Sequence, residues 1–148
     1  MALTPRIAWS TPVAALVATT LGAVVFVVAA VLTRADPAGA LLLTVAALGT
    51  TVVAALGWLR RPRLAVYDGP DGTADLAVRE LRGTSRFGRA ELAYVRVSRY
   101  PRLGRRIPLL EIELRESDRL LVFGRWDLGA DPAEVLDALT VHGLVPTD

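Results

Sequence analysis

The 148-residue chain contains no cysteine and only one histidine, His142. Without thiols it has no disulfide framework, no thiolate metal site and no cysteine nucleophile. We interpret His142 as a partial positive charge near the C-terminus of a helix, because no second histidine or cysteine is present to complete a metal site or a nucleophile–base pair. The sequence therefore predicts a protein that is not an enzyme and has neither cofactor nor metal.

Charge is missing from two long stretches near the N-terminus. No charged residue lies between Arg6 and Arg34, and none lies between Asp36 and Arg60. A helix of about 20 apolar residues crosses the roughly 30 Å hydrocarbon core of a bilayer. The sequence therefore predicts a transmembrane helical hairpin in residues 1–60, with helices at about 10–33 and 38–59, and a soluble domain in residues 61–148.

A cleaved signal peptide is the alternative explanation for the first apolar stretch. We favour a retained helix, because the stretch is longer than the usual apolar core of a signal peptide and Arg34, Asp36 and Pro37 make a poor cleavage site. Neither predicted helix contains an ionisable residue. That absence argues against an ion path or a proton relay within this chain alone.

Arginine is more frequent on the side of the hairpin that holds both chain termini. That side carries four arginines, whereas the turn carries only Arg34 beside Asp36. The positive-inside rule then places both termini in the cytoplasm and makes the chain a multi-pass protein of the cytoplasmic (inner) membrane, with the lipid bilayer as a partner. With two tryptophans at the terminal ends of the helices, the predicted juxtamembrane anchors are Arg6, Trp9, Trp58, Arg60, Arg61 and Arg63.

Small residues recur at four-residue spacing on both predicted helices. Such spacing lets helix backbones approach closely inside a membrane. We expect these residues to form the contact within the hairpin, and a dimerisation face is the alternative. The residues concerned are Ala14, Ala18, Gly22, Gly49 and Gly57.

The sequence changes to a period of two after Arg63, which indicates β-strands separated by turns. The predicted strands lie at about 64–67, 75–81, 86–87, 92–100, 110–115 and 119–124. Asp131 and Pro132 then open a helix that Gly143 ends. The predicted fold is a two-helix transmembrane hairpin followed by a small antiparallel β sandwich or open barrel that a C-terminal α-helix caps.

Three segments carry a resemblance to a known family: the Arg60-Arg61-Pro62-Arg63 juxtamembrane segment, the stretch Arg89–Val97, and the closing helix Asp131–Gly143. Together with the order of helices and strands, they resemble the actinobacterial membrane-anchored bacterial PH-domain proteins of the low-molecular-weight protein antigen 6 type. The resemblance extends over essentially the whole chain. It implies a PH-like fold and a non-enzymatic role, and it supplies no catalytic residues.

Positive charge is concentrated in one part of the soluble domain. From Arg79 to Arg106 there are nine arginines against Glu80 and Glu91, whereas the following segment is acidic. We predict that Arg99, Arg102, Arg105 and Arg106 form a binding surface for anionic lipid headgroups or an acidic protein. The alternative is that the arginines are solvated edge residues, with Arg96 pairing across strands with Glu111 or Glu113.

Other binding chemistries have little support in the sequence. Asp68, Asp71 and Asp75 lie in a glycine–proline turn and lack the ligand order of a calcium loop. The acidic remainder of the domain argues against nucleic-acid binding.

The sequence thus predicts a membrane-anchored PH-like binding or scaffold protein whose cytoplasmic domain engages a partner protein or the anionic membrane surface. The alternative is an accessory subunit of a membrane complex, in envelope biogenesis or transport, with the helical hairpin as its interface.

Overall fold

The structure, a computed structural model, describes residues 4–69, 72–102, 104–117 and 119–146, without the side chain of Arg102. The chain forms two compact units. One is a helical unit, Thr11–Arg61. The other is a β-rich unit that begins at Pro62 and also includes the segment that precedes the helices, up to Ser10.

The helical unit is a hairpin of two apolar helices, α1 (Val13–Leu32) and α2 (Pro37–Leu59). Both are long and apolar enough to span a membrane. Asp36 caps α2, because its carboxylate accepts a hydrogen bond from the Ala38 N–H at 3.2 Å, and Pro37 occupies the first helical position. Helix α1 begins three residues later than predicted, at Val13. The residues before it, up to Ser10, belong to the β-rich unit instead.

The two helices contact each other through side chains spaced seven residues apart. Leu16 and Ala23 on α1, and Ala47 and Ala54 on α2, are the buried residues of the hairpin. A seven-residue repeat keeps one seam of each helix facing its neighbour, and small side chains on that seam allow close approach. Packing of this kind replaces the hydrophobic effect, which does not drive helix association within lipid.

The predicted packing set is largely wrong for the contact within the hairpin. Only Gly57 belongs to it, since a Cβ at Gly57 would collide with Cδ2 of Leu16. A Cβ added at Gly22 or Gly49 would meet nothing within 4 Å, and Ala14 and Ala18 are exposed. The four-residue spacing predicted the wrong seam, because the helices pack on the seven-residue repeat instead.

The β-rich unit contains two antiparallel sheets. The first sheet has the order β1-β2-β3-β4, and the second has the order β5-β6-β7. The strands are β1 (Ile7–Trp9), β2 (Leu64–Asp68), β3 (Ala74–Glu80), β4 (Gly83–Gly88), β5 (Leu92–Arg102), β6 (Arg105–Leu114) and β7 (Leu120–Gly124). The predicted antiparallel strand arrangement is confirmed, and β1 is an addition to it.

Strand β1 corrects both the predicted domain boundary and the predicted role of Trp9. The strand precedes α1 yet pairs with β2, which follows α2, with Trp9 opposite Leu64 and Ile7 opposite Val66. Trp9 is only 8% exposed and packs in the core of the β-rich unit, so it does not lie at the end of a helix as a headgroup anchor. The two apolar helices are therefore an insertion between two neighbouring strands of one sheet.

Two of the predicted arginine anchors also belong to the β-rich unit. Arg6 forms an ion pair with Asp68, and its backbone N–H donates to the Val66 carbonyl at 2.8 Å. Arg63 donates a hydrogen bond from Nη1 to the Arg79 carbonyl at 3.2 Å. The remaining anchors, Trp58, Arg60 and Arg61, lie at the end of α2, where the Arg61 guanidinium is 5.7 Å from the Trp58 ring centroid.

The core of the β-rich unit lies between the two sheets, and two helices complete it. The short helix α3 (Arg125–Leu128) buries Leu128, and α4 (Pro132–Val141) buries Val135 and Leu139. The predicted closing helix is confirmed, with Asp131 accepting a hydrogen bond from the Ala133 N–H at 2.9 Å. Gly143 ends the helix in the left-handed conformation, at φ +70°, as a C-terminal glycine does.

The pairing of β1 with β2 predicts that the β-rich unit needs the segment before the helices. We expect residues 62–146 alone to be about 3 kcal/mol less stable than a fusion in which residues 4–10 precede them through a short Gly-Ser turn, because the first protein lacks the buried Trp9. Urea unfolding of both proteins measures the difference. The same fusion with Trp9→Ala is the control and should lose most of the stability that residues 4–10 add. Equal stability of the two proteins would contradict the prediction.

Candidate functional site

The second sheet carries a two-stranded extension. Strand β7 pairs with β6 only from Glu113 to Leu109, whereas β5 and β6 continue to pair as far as Arg102 opposite Arg105. We call residues 99–108 the β5–β6 arm. Leu103, in its turn, lies outside the described residues. The arm extends beyond the third strand and is mostly exposed.

The arm brings together the four arginines that the sequence predicted as a binding surface. Arg99, Arg105 and Arg106 are exposed, and no ion pair holds them within the part of the chain that the structure describes. Arg102 lies on the arm opposite Arg105, with its side chain outside the described part. The sequence has no acidic residue from Leu92 to Leu110. The arm therefore carries a positive charge that no acidic residue of the same segment offsets.

The register distributes this charge over both faces of the arm. Side chains alternate between the faces of a strand, and paired residues share a face. The pair Tyr100 and Ile107 therefore lies on the same face as Arg105. The residues of the pairs Arg99–Pro108 and Pro101–Arg106 lie on the opposite face.

A buried carboxylate holds the base of the arm. Glu111 is 1% exposed, although it lies on the outer face of the second sheet. It accepts hydrogen bonds from the Tyr100 hydroxyl at 2.5 Å, from Ser98 Oγ at 2.8 Å and from Arg96 Nε at 2.9 Å. The Arg96 guanidinium also stacks 4.5 Å from the centroid of the Tyr94 ring. These three donors come from alternate positions of β5, so the cluster fixes β5 to β6 where the arm begins.

The hydrogen bonds to Glu111 lower its pKa. The Tyr100 hydroxyl is the main cause that lowers the pKa of Glu111, with Arg96 and Ser98 adding to it, while burial opposes the shift. The same contact raises the pKa of Tyr100. Glu111 is therefore ionised at neutral pH, and its charge is directed at β5 rather than at a ligand.

The sequence anticipated only part of this cluster. The predicted pairing of Arg96 with Glu111 or Glu113 is resolved in favour of Glu111. Ser98 and Tyr100 were missed as its partners. The available signal was the run of polar residues at alternate positions of β5, which places them on the face of Arg96.

The other candidate residues from the sequence that the structure describes, Asp68, Asp75 and His142, do not come together in a site. Within the described residues, no group of three or more histidine, aspartate or glutamate side chains could hold a metal ion. Asp68 pairs with Arg6, and Asp71 lies outside the described residues. His142 caps the C-terminus of α4, as the sequence predicted.

The Glu111 cluster predicts a specific loss of stability. We expect Glu111→Gln to lower the free energy of unfolding of the β-rich unit by about 1–3 kcal/mol, because it removes a buried hydrogen-bonded charge. Glu113→Gln, two residues along the same strand, is the matched control and should change it little. Unfolding monitored by circular dichroism measures both variants.

The pH dependence of the same two variants checks the cause. Because folding lowers the pKa of Glu111, its stabilising contribution is complete above the unfolded-state pKa of about 4.3 and is lost as the pH falls through the lower folded-state value. The advantage of the wild type over Glu111→Gln should therefore shrink between neutral pH and about pH 3. An advantage that is constant over this range would contradict the assignment.

Comparison with known proteins agrees with this architecture. The family described as the bacterial PH domain matches residues 61–144, which excludes β1. Two uncharacterized proteins of Mycobacterium tuberculosis, one from strain CDC 1551 / Oshkosh and one from strain H37Rv, are each 41% identical over 136 residues, which is 92% of this chain and 92% of each relative. No solved structure matches the chain. The resemblance inferred from the sequence is confirmed, and the chain belongs to the bacterial PH domain family.

Proposed function

We propose that the chain is a binding module that is anchored in the cytoplasmic membrane and that engages an acidic partner protein through the β5–β6 arm. The observation that carries the proposal is the arm itself, a projecting ribbon with four arginines and no acidic residue. Hydrogen bonds to the buried Glu111 fix the base of the arm, so the arm holds its arginines in a defined position. PH-like domains are binding modules, and a non-enzymatic role fits that class.

Membrane anchorage rests on the two apolar helices and on the pairing of β1 with β2. Since these two strands belong to one sheet, the residues before α1 and after α2 lie on the same side of any membrane that both helices cross. Cleavage after α1 would separate β1 from the rest of the chain, which supports a retained helix. The arginines around α2, Arg60 and Arg61, favour the cytoplasmic side.

The distribution of arginine on the arm favours a protein over the bilayer as its partner. Arg105 lies on one face of the ribbon, and Arg99 and Arg106 lie on the other. A flat bilayer reaches one face of a ribbon at a time, whereas a protein cleft reaches both. Arginine is also suited to bidentate pairing with carboxylates. We therefore infer an acidic protein, and contact of the arm with anionic headgroups is the competing outcome of the test.

Photo-cross-linking from the arm tests this function. A benzoyl-phenylalanine in place of the exposed Ile107, in the full-length chain in native membranes, should form an adduct with a protein. The double variant Arg105→Glu/Arg106→Glu should abolish the adduct, because it reverses the charge that attracts an acidic surface. The control, Arg86→Glu/Arg115→Glu, makes the same change of net charge outside the arm and should retain the adduct. Adducts with lipid alone would contradict the proposal and favour the bilayer as the partner of the arm.

A second candidate function is an accessory subunit whose hairpin contacts other membrane helices. It is favoured by the small residues of α1 that the hairpin leaves uncovered: Ala14 and Ala18 are exposed, and a Cβ at Gly22 would meet nothing. Small residues on a lipid-facing surface allow another helix to approach closely.

Two glycine substitutions separate this candidate from the first. Gly22→Ile should leave the hairpin intact and disrupt a contact with another helix, because it adds bulk only to the outward face. Gly57→Ile is the contrasting variant and should destabilise the hairpin by about 1–3 kcal/mol through its collision with Leu16. Affinity purification of the full-length variants from membranes measures the retained partners. An accessory role would be excluded if Gly22→Ile retained every partner of the wild type.

A further inference from the structure

Among the described residues of the β-rich unit, several large apolar side chains are exposed, and most of these lie on three short segments. Besides Tyr100 and Ile107 on the arm and Val141 on α4, the exposed residues of this kind are Leu81 in the β3–β4 turn, Leu120 and Val122 on β7, and Trp126 on α3. Leu81 and Trp126 are 67% and 62% exposed. A group of exposed apolar side chains on a folded domain indicates a surface that contacts something apolar.

Both connections to the membrane helices leave the first sheet at the same end. Trp9 and Leu64 are paired at this end. Three residues connect Trp9 to the start of α1, and four connect the end of α2 to Leu64. A chain of this length spans at most about 15 Å. If the helices cross a bilayer, this end of the sheet lies close to the bilayer surface.

The β3–β4 turn belongs to the same end. The Arg79 N–H donates to the Arg63 carbonyl at 3.0 Å, directly beside the connection from α2. Glu80 pairs with Gly83, so Leu81 and Arg82 form a two-residue turn just beyond. The turn therefore presents an apolar and a cationic side chain at the end of the sheet where the membrane helices attach.

Strand β7 and helix α3 also reach this end. Nε of Arg63 lies 3.9 Å from Oδ1 of Asp127, and its guanidinium lies 5.8 Å from the centroid of the Phe123 ring. At the start of β7, Arg119 forms an ion pair with Glu80 at 2.9 Å. One end of β7 thus lies beside β3 and the other beside the start of β2. Leu120, Val122 and Trp126 are consequently exposed close to the attachment point of the helices.

Charge at this end is complementary to an anionic surface. Among the described acidic residues near this end, Glu80 and Asp127 each face an arginine, whereas Glu116 in the β6–β7 turn is exposed. Arg82 and Arg125 are exposed among the apolar side chains. Tryptophan and arginine are the side chains that suit the headgroup region of a membrane, because each combines apolar surface with a polar group.

We propose that Leu81, Arg82, Leu120, Val122, Arg125 and Trp126 form a hairpin-end surface that rests in the headgroup region of the cytoplasmic leaflet, with Trp126 as its interfacial anchor. This inference depends on the membrane anchorage in the proposed function, but not on the partner of the arm. The hairpin-end surface holds the domain against the bilayer in a fixed orientation. The surface includes no residue of the arm, which extends beyond the Leu109–Gly124 pair where β7 ends.

The absence of cysteine allows a direct test by single-cysteine spin labelling. The full-length chain is reconstituted in nanodiscs that contain phosphatidylcholine and phosphatidylglycerol. Nitroxides at Leu81→Cys, Val122→Cys and Trp126→Cys should collide several-fold more often with oxygen than with a water-soluble nickel chelate. Two controls should show the opposite preference: Thr73→Cys in the turn at the other end of the first sheet, and Val141→Cys, an exposed apolar position on α4. In pure phosphatidylcholine the preference at Trp126→Cys should decrease, since the arginines lose their anionic counterpart.

A label at Val28→Cys, in the C-terminal half of α1, separates the two ways in which the inference can fail. If Val28→Cys prefers oxygen while the three surface positions match the controls, the hairpin-end surface is wrong and the membrane anchorage stands. If Val28→Cys also prefers the nickel chelate, the anchorage in the proposed function is wrong as well. Oxygen preference at Val28→Cys and at all three surface positions supports the inference.

Discussion

The pairing of β1 with β2 is the constraint on which the rest of the protein depends. It joins a segment that precedes the two apolar helices to the strand that follows them, with Trp9 opposite Leu64. Because Trp9 packs in the core, the helical hairpin interrupts a single folded unit rather than preceding it. Both ends of the hairpin are therefore connected to one sheet, each by a short segment.

The two connections to the hairpin and the β5–β6 arm involve different strands of the β-rich unit. The end of the first sheet that carries the attachments also carries Leu81 and Arg82. The β5–β6 arm is a separate ribbon whose base is fixed by hydrogen bonds to Glu111. A buried carboxylate that receives three hydrogen bonds favours one arrangement of its strands, because any other leaves the charge unpaired. The arm can then present its arginines in a constant position.

The similarity to known proteins extends over both the β-rich unit and the hairpin. The family match covers residues 61–144 and therefore all strands except β1. Residues 4–10 complete the β-rich unit although they precede the helical hairpin in the chain. The relatives from Mycobacterium tuberculosis align over 92% of the chain, so the similarity is not confined to the matched domain. The hairpin and the β-rich unit are therefore both part of what this chain shares with these relatives.

The sequence by itself determined the two apolar helices, the strand-rich region and the closing helix, because each has a local signal: absence of charge, a period of two, and the Asp131–Pro132 start. It also identified the four arginines of the arm. Only the tertiary structure decided the role of Ile7–Trp9, since three residues are too few for a periodic signal and their partner lies beyond both helices. The same holds for the burial of Glu111 and for the seam of the hairpin, where Leu16 and Ala54 pack instead of Ala14 and Ala18. These features depend on contacts between residues distant in the chain, which no local pattern encodes.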